Sequence, residues 1–278
     1  MVSMNRLDNA RRVAVVRALV EGNSIRSTVR LTSVAKNTVT KLLVELGAAC
    51  ATYMDENLKN LTSKRIQCDE IWSFIGAKQK NVTDKIREKN KAAGDVWTWT
   101  AICADTKLCV SFSVGDRSAE TAHPFMQDVA SRLKRRVQLT TDGHKPYLQA
   151  VEDAFGADID YATLTKLYGG DPSPEKRYSP AVCIGCVSNV VTGDPDPKHI
   201  STSYVERQNL TMRMSMRRFT RLTNAFSRKL ENHMASVALY FMYYNFGRVH
   251  QTLRVTPAMA AGVADHVWEV DEMVALLG

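Results

Sequence analysis

Apolar residues recur at helical spacing through the N-terminal part of the chain. Asp8 precedes a helical stretch that runs to Glu21 and stops at Gly22 and Asn23. Ser24 precedes a shorter one over 25–31, and a third is predicted over 35–46 with Gly47 as its end. In that third stretch Val39, Leu42, Leu43 and Leu46 share one face and form a buried stripe. Lys36, Asn37, Thr40 and Lys41 lie off the stripe and face outward.

The period then changes. Residues 66–75, 96–104 and 108–114 read as strands, the last two joined by an Asp105-Thr106 turn. Residues 81–94 are charged and polar and predict a loop. A helix over 119–134, a strand over 137–141, a helix over 145–155 and a short strand within 158–167 follow. Three strands, then helix, strand and helix, predict a mixed α/β sheet. Residues 168–198 hold five of the eight prolines and four glycines, the composition of a long loop or insertion. Residues 201–261 return to helical spacing, and no internal repeat or low-complexity tract is visible.

Two short helices and a third with a polar outer face, joined through Thr32-Ser33-Val34, fit a helix-turn-helix. Lys36, Asn37, Thr40 and Lys41, with Arg26, then become candidate phosphate and base-edge contacts.

Composition sharpens this. The chain has 278 residues, 45% hydrophobic and 24% charged, which excludes a wholly disordered, collagen-like or coiled-coil protein and allows one large or two unequal domains. Its net charge of +8 is unevenly spread. Residues 1–65 hold 11 Lys/Arg against 5 Asp/Glu, 66–200 hold 17 against 18, 201–257 hold 9 against 2, and 258–278 hold none against 4. Two basic blocks flanking a middle that holds most of the acids point to a polyanionic partner. Cys50, Cys68, Cys103, Cys109, Cys183 and Cys186 are scattered, unlike a disulfide framework, and fit a reducing compartment. Cys183 and Cys186 have the spacing of half a zinc site, with His199 an isolated further candidate. The most apolar stretch, 235–246, is short and contains Ser236, Tyr243 and Asn245, so no membrane span is expected. Arg11, Arg12 and Arg17 interrupt the first apolar residues, so no signal peptide is expected and a cytoplasmic location follows.

Asp69 sits inside the otherwise apolar run Ile66-Gln-Cys-Asp-Glu-Ile-Trp-Ser-Phe-Ile75, where a carboxylate is costly unless paired or metal-bound. Asp142 ends the strand Val137-Gln-Leu-Thr-Thr-Asp142 and is followed by Gly143, which also reads as an Asp-Gly turn. Glu70 is expected on the opposite sheet face from Asp69, as a structural partner. His144 reads as a turn histidine or as a hydrogen-bond partner of a phosphate or the site, and Arg248 and His250 as DNA contacts or packing residues. Glu206 opens the second basic block. On a helix, at about 100° per residue, Arg213 and Arg217 return to within about 20° of it. Val205, Met212, Met216 and Phe219 lie opposite. From Arg207 to Lys229 there are seven arginines and lysines and no acid. A lone carboxylate there repels DNA phosphate unless a cation bridges them. Two carboxylates from a sheet and one from a helix suit two hard metal ions, which can activate an attacking oxygen and stabilise a leaving one at phosphorus.

Asp69 in CDEIWSF, Asp142 in TTDGHKPY and Glu206 in YVERQNLTMRMSMRRFTRLT resemble the carboxylates of DDE transposases. The ERQN run, its arginine-rich continuation and the later YYNFGRVHQTLRVTPAMA look most like bacterial transposases of the insertion-sequence-one family, over nearly all of 24–261. The stretch between Asp142 and Glu206, 63 residues, is longer than in better-known members. The resemblance implies a helix-turn-helix domain over 1–60 and an RNase H-like catalytic domain over 61–278, a mixed α/β sheet flanked by helices. It implies Asp69, Asp142 and Glu206 as catalytic and metal-binding residues, two Mg²⁺ or Mn²⁺ ions, and Arg207, Arg213 and Arg217 as DNA contacts. Arg213 matches the basic residue that follows the Glu by seven positions in many DDE transposases. The expected partners are double-stranded DNA, namely terminal inverted repeats and target, and a second copy of the chain or more. The alternatives are a metal-dependent nuclease that does not join strands and a domesticated, non-catalytic DNA-binding regulator.

Overall fold

A computed structural model describes residues 7–169, 183–220 and 224–278. Part of the proline- and glycine-rich segment, 170–182, and Arg221, Leu222 and Thr223 of the arginine-rich block lie outside the described residues.

The N-terminal helices begin where their caps dictate. Helix α1 (Asn9–Val20) starts on Asp8, whose carboxylate accepts the Arg11 N–H at 2.8 Å. Helix α2 (Ile25–Thr32) starts on Ser24, whose hydroxyl oxygen accepts from the Ser27 N–H. Ser33 then takes the left-handed conformation, with φ of 54°, and opens the turn to helix α3 (Lys36–Asn57). The expected stop at Gly47 is not used, and α3 continues for ten further residues. Gly47 is instead the point of closest approach between α3 and helix α8 (Leu230–Met242): a Cβ there would lie 2.5 Å from Ala235 Cα. The glycine is required by packing and not by a turn.

Next come strand β1 (Arg65–Ile75), a 3-10 turn (Gln79–Asn81) and helix α4 (Asp84–Lys89). The stretch 81–94, expected as a loop, is thus partly helical. Asp84 at its start and Arg87 and Lys89 at its end complement the helix dipole. Strands β2 (Gly94–Cys103) and β3 (Cys109–Gly115), helix α5 (Ala119–Arg132), strand β4 (Gln138–Thr141), helix α6 (Pro146–Phe155) and strand β5 (Asp160–Tyr168) match the predicted order. Strand β6 (Cys183–Thr192) pairs antiparallel with β5 at the sheet edge, inside the region expected to be a loop. Within the proline-rich 168–198 stretch, the run from Val187 to Thr192 is proline-free and β-branched, which suits a strand. Helices α7 (Ser203–Ser215) and α8, a π turn (Tyr243–Gly247) and the short helices α9 (Pro257–Ala260) and α10 (Val270–Ala275) complete the chain.

The six-stranded mixed sheet has the order β3-β2-β1-β4-β5-β6. β1, β2 and β3 form an antiparallel meander, while β4 lies parallel to β1 and β5 parallel to β4. Helices cover both faces. On one, Trp99, level with Glu70, packs edge-on against Tyr147 of α6, and Ser111 bonds Asp128 of α5. On the other, Phe112, level with Thr100 and so with Asp69, stacks on Phe241 of α8. One continuous apolar cluster runs from Val16, Leu43 and Leu46 through α8 into the sheet. No described helix is long and apolar enough to cross a membrane.

The π turn has a structural task. It carries Asn245, fully buried, whose amide accepts from the Cys109 N–H and donates to the Cys109 carbonyl, both at 2.9 Å. Asn245 thereby satisfies an edge strand as a neighbouring strand would, next to the bulge between β2 and β3. Asn245→Leu leaves both backbone groups buried without partners, and is expected to cost about 3 kcal/mol in a urea denaturation.

Candidate active site

β1 and β4 run parallel side by side, and the chain leaves them in opposite directions across the sheet. The carboxyl ends of such strands form a crevice at a switch point. Gln67 pairs with Thr140 near the end of β4, and Asp69 lies two residues further along β1 while Asp142 follows directly after β4. Oxygens of Asp69, Glu70 and Asp142 all lie within 4.8 Å of one another.

Each carboxylate is held differently. Asp69 Oδ1 accepts from the Glu70 N–H and Oδ2 from the Asn209 amide, both at 2.8 Å. Asp142 Oδ1 accepts the His144 N–H at 2.9 Å, so the Asp-Gly turn and the acidic site are one structure. Glu70, expected on the opposite sheet face as a structural partner, is fully buried, with its carboxylate turned into the cluster. Its Oε2 accepts from Arg117 Nε at 3.2 Å, and Arg117 Nη2 reaches Asp142 Oδ2 at 3.4 Å. Glu70 faces the buried Tyr147 hydroxyl, and among the described residues Asn209 Oδ1 is buried without a hydrogen bond.

Glu206 reaches the site through its helix. The side chain of Gln67 on β1 accepts the Tyr204 and Val205 N–H groups, and Asn209, three residues after Glu206, ties α7 to Asp69. Glu206 Oε2 is bonded by Lys166, and Oε1 accepts from the Thr202 hydroxyl at 2.6 Å. It stands outside the tight group of three, yet close enough to raise the pKa of Asp69. Asn209, Arg117, Lys166 and Thr202 were not singled out from the sequence. Asn209 alone carried a signal, one helical turn from Glu206.

Burial first, then the neighbouring Asp142, pushes Asp69 up to about 6. Burial first pushes Glu70 up to about 7, against the pull of Tyr147 and Arg117. Between ordinary and raised values the folded chain keeps protons that the unfolded chain has released. Stability contributed by these groups therefore falls as pH rises from about 4 to about 7. The expected result in metal-free urea titrations is a decline over that window, which Glu70→Gln reduces by on the order of 3 kcal/mol.

The remaining candidates divide. Val205, Met212, Met216 and Phe219 are buried as expected. Helix α7 ends at Ser215 because Met216 turns extended, so Arg217 lies in a 3-10 turn and not on the Glu206 face of a continuous helix. Arg207 and Arg217 are exposed, and Arg213 is partly buried. Arg26, Lys36, Asn37 and Lys41 are exposed and Thr40 is partly so. An open cleft of about 1110 Å³ separates the N-terminal helices from the start of α8. Arg26, Lys36 and Lys41 line one side and Arg217, Arg228 and Lys229 the other, against Glu45 and Glu231. The two basic blocks thus meet across one groove. Arg248 bonds Ser215. Cys183 and Cys186 are 4.0 Å apart at sulfur, while His199 is engaged by Arg65 and Asp196, so the zinc arrangement is not assembled among the described residues.

No protein-family model matches the chain, and no curated protein sequence does. Solved structures similar to it include a piggyBac transposase synaptic complex with hairpin DNA, at TM-score 0.43 and 10% identity, over 97% of this chain and 69% of that one. A Mos1 transposase paired-end complex with the left transposon end has TM-score 0.25 and 12% identity, over 56% of this chain and 58% of that one. The Mos1 strand transfer complex has TM-score 0.24 and 12% identity, over 84% of this chain and 76% of that one.

Proposed function

We propose that the chain is a DNA transposase of the DDE type, with an RNase H-like catalytic body and an N-terminal helix-turn-helix, resembling the bacterial insertion-sequence-one family. One observation carries this reading: Asp69 on β1 and Asp142, just past the end of the parallel strand β4, bring carboxylate oxygens within 4.8 Å of each other, with the Glu206 helix tied to Asp69 through Asn209. The sheet order, a meander followed by two parallel strands, agrees with an RNase H-like body.

The donor set fits hard divalent cations. It is all oxygen, burial and the neighbouring Asp142 raise the pKa of Asp69, and Asn209 Oδ1 is buried without a hydrogen bond among the described residues. Asp69, Asp142 and Glu206 would hold two Mg²⁺ or Mn²⁺ ions. When bound, these would supply positive charge at the attacking and leaving oxygens of a phosphodiester. The chain's own groups do the positioning. Asn209 fixes Asp69, and Thr202 and Lys166 fix Glu206 until DNA and cation arrive. Water first opens a phosphodiester in line and leaves a 3′-hydroxyl. That hydroxyl then attacks a phosphodiester of target DNA and displaces a second 3′-oxygen.

The groove between the basic blocks is the proposed duplex path. Lys36, Asn37, Thr40 and Lys41 read the DNA ends, while Arg26, Arg207, Arg213 and Arg217 hold phosphates. Two ends must be brought together, so the working form is a dimer or larger, free in the cytoplasm and on DNA. The deciding experiment incubates the protein, Mg²⁺, DNA flanking its coding sequence and a supercoiled target. Joined products are the expected result. Cuts without joining would make it a nuclease, and binding without cuts a regulator.

A further inference from the structure

Arg117 lies in the bend between β3 and α5, and its surroundings hold it still. The Trp99 indole N–H donates to the Asp116 carbonyl at 2.8 Å. Asp116 Oδ1 accepts from the Ser118 N–H and from the hydroxyls of Ser118 and Thr121. The guanidinium is anchored twice more, by its Nε on Glu70 and by the Trp97 ring, whose centroid is 4.8 Å from Cζ. Glu70 is wholly buried and Arg117 is 39% exposed, so this carboxylate serves as a fixed counter-ion beneath the arginine. The outer edge of the guanidinium is left facing Asp142, at 3.4 Å.

That outer contact is long, and its acceptor is a proposed cation ligand. A cation held by Asp142 would compete for the same oxygen and repel the guanidinium. The Glu70 and Trp97 anchors keep Arg117 beside the site, with N–H donors directed at whatever anion accompanies the cation. Arginine is suited to this, because its planar fork holds a carboxylate and a phosphate oxygen at once.

We infer that Arg117, positioned by Glu70 and Trp97, binds a non-bridging oxygen of the DNA phosphodiester at the acidic site. The inference rests on the proposed phosphoryl-transfer reading. In this role Glu70 is a positioning residue for Arg117, through its Oε2.

The test measures affinity for a short duplex of the flanking DNA with and without Ca²⁺ as probe cation, which reads phosphate binding without needing cleavage. The parent is expected to gain affinity on adding Ca²⁺. Arg117→Gln should lose about 10-fold or more of that gain while binding Ca²⁺ alone at least as well as the parent. Arg117→Lys should recover only part, since an ammonium cannot span Glu70 and a phosphate. In Mg²⁺, single-turnover cleavage by Arg117→Gln should fall about 10²-fold, the usual cost of one lost donor at a developing charge. The double variant Glu70→Gln/Arg117→Met removes the ion pair and separates the roles. If it regains the Ca²⁺-dependent affinity, Arg117 only neutralises Glu70 and the inference is overturned. Equal gains for Arg117→Gln and the parent overturn it as well. A parent that gains nothing from Ca²⁺ counts against the acidic site as a cation-phosphate centre, a different failure.

Discussion

Asp69→Asn is expected to lower Mg²⁺-dependent DNA strand cleavage by on the order of 10³-fold or more, with duplex affinity in the absence of metal changed less than about two-fold. The substitution keeps the shape of the side chain. Its carbonyl oxygen can still accept the Glu70 N–H, and Asn209 can turn its unpartnered Oδ1 toward the new amide. What disappears is the charge. Metal-free stability should rise with it, because Asp69 ionises at about 6 against burial and Asp142. A variant that is more stable, binds DNA and does not cut is hard to explain by misfolding. Glu206→Gln tests the third position separately. Its carboxylate rests on Lys166 and Thr202, outside the tight group of acids, so cutting at the parental rate would remove Glu206 from the site while leaving Asp69 and Asp142 in it.

Gly47→Val should be the most damaging single change away from the acids. An added Cβ would lie 2.5 Å from Ala235 Cα and 2.6 Å from both its Cβ and its carbonyl oxygen, and a main chain cannot step aside as a side-chain tip can. The α3–α8 contact would have to open, exposing Leu43, Leu46 and Leu239, all buried. A loss of about 3–4 kcal/mol is expected, roughly 10 °C in Tm by calorimetry. Gly185→Ala is the control: its added Cβ meets only Leu167 Cδ1, at 3.9 Å, and Tm should hardly move.

Gly47 also shows where the sequence was legible and where it was not. Local signals were sound. Asp8 and Ser24 cap the helices they precede, the stripe from Val39 to Leu46 is buried, and the order of strands and helices through the middle is as the periodicity implied. A glycine after an apolar stripe looks the same locally whether it ends a helix or admits another one. Only Ala235, far away in the chain, decides between them. Strand β6 was obscured because prolines on both sides were averaged over its β-branched core. Alternation along β1 puts Asp69 and Glu70 on opposite faces, but the flexible Glu70 side chain brings its carboxylate back to the end of the sheet, where Arg117 meets it. Asp69 and Asp142 stood out as acids in apolar or turn settings. Their meeting at the end of the sheet required the parallel pairing of β1 with β4, which no local pattern encodes.

In the proposed reading Asp69 and Asp142 form a cation site for phosphoryl transfer. Crystals grown with Mn²⁺ and flanking DNA, measured for anomalous scattering at the manganese edge, test it most directly. Anomalous density is expected between the Asp69 and Asp142 carboxylates, adjacent to a DNA phosphate. Manganese absent from these carboxylates, with DNA bound in the basic groove, would contradict it.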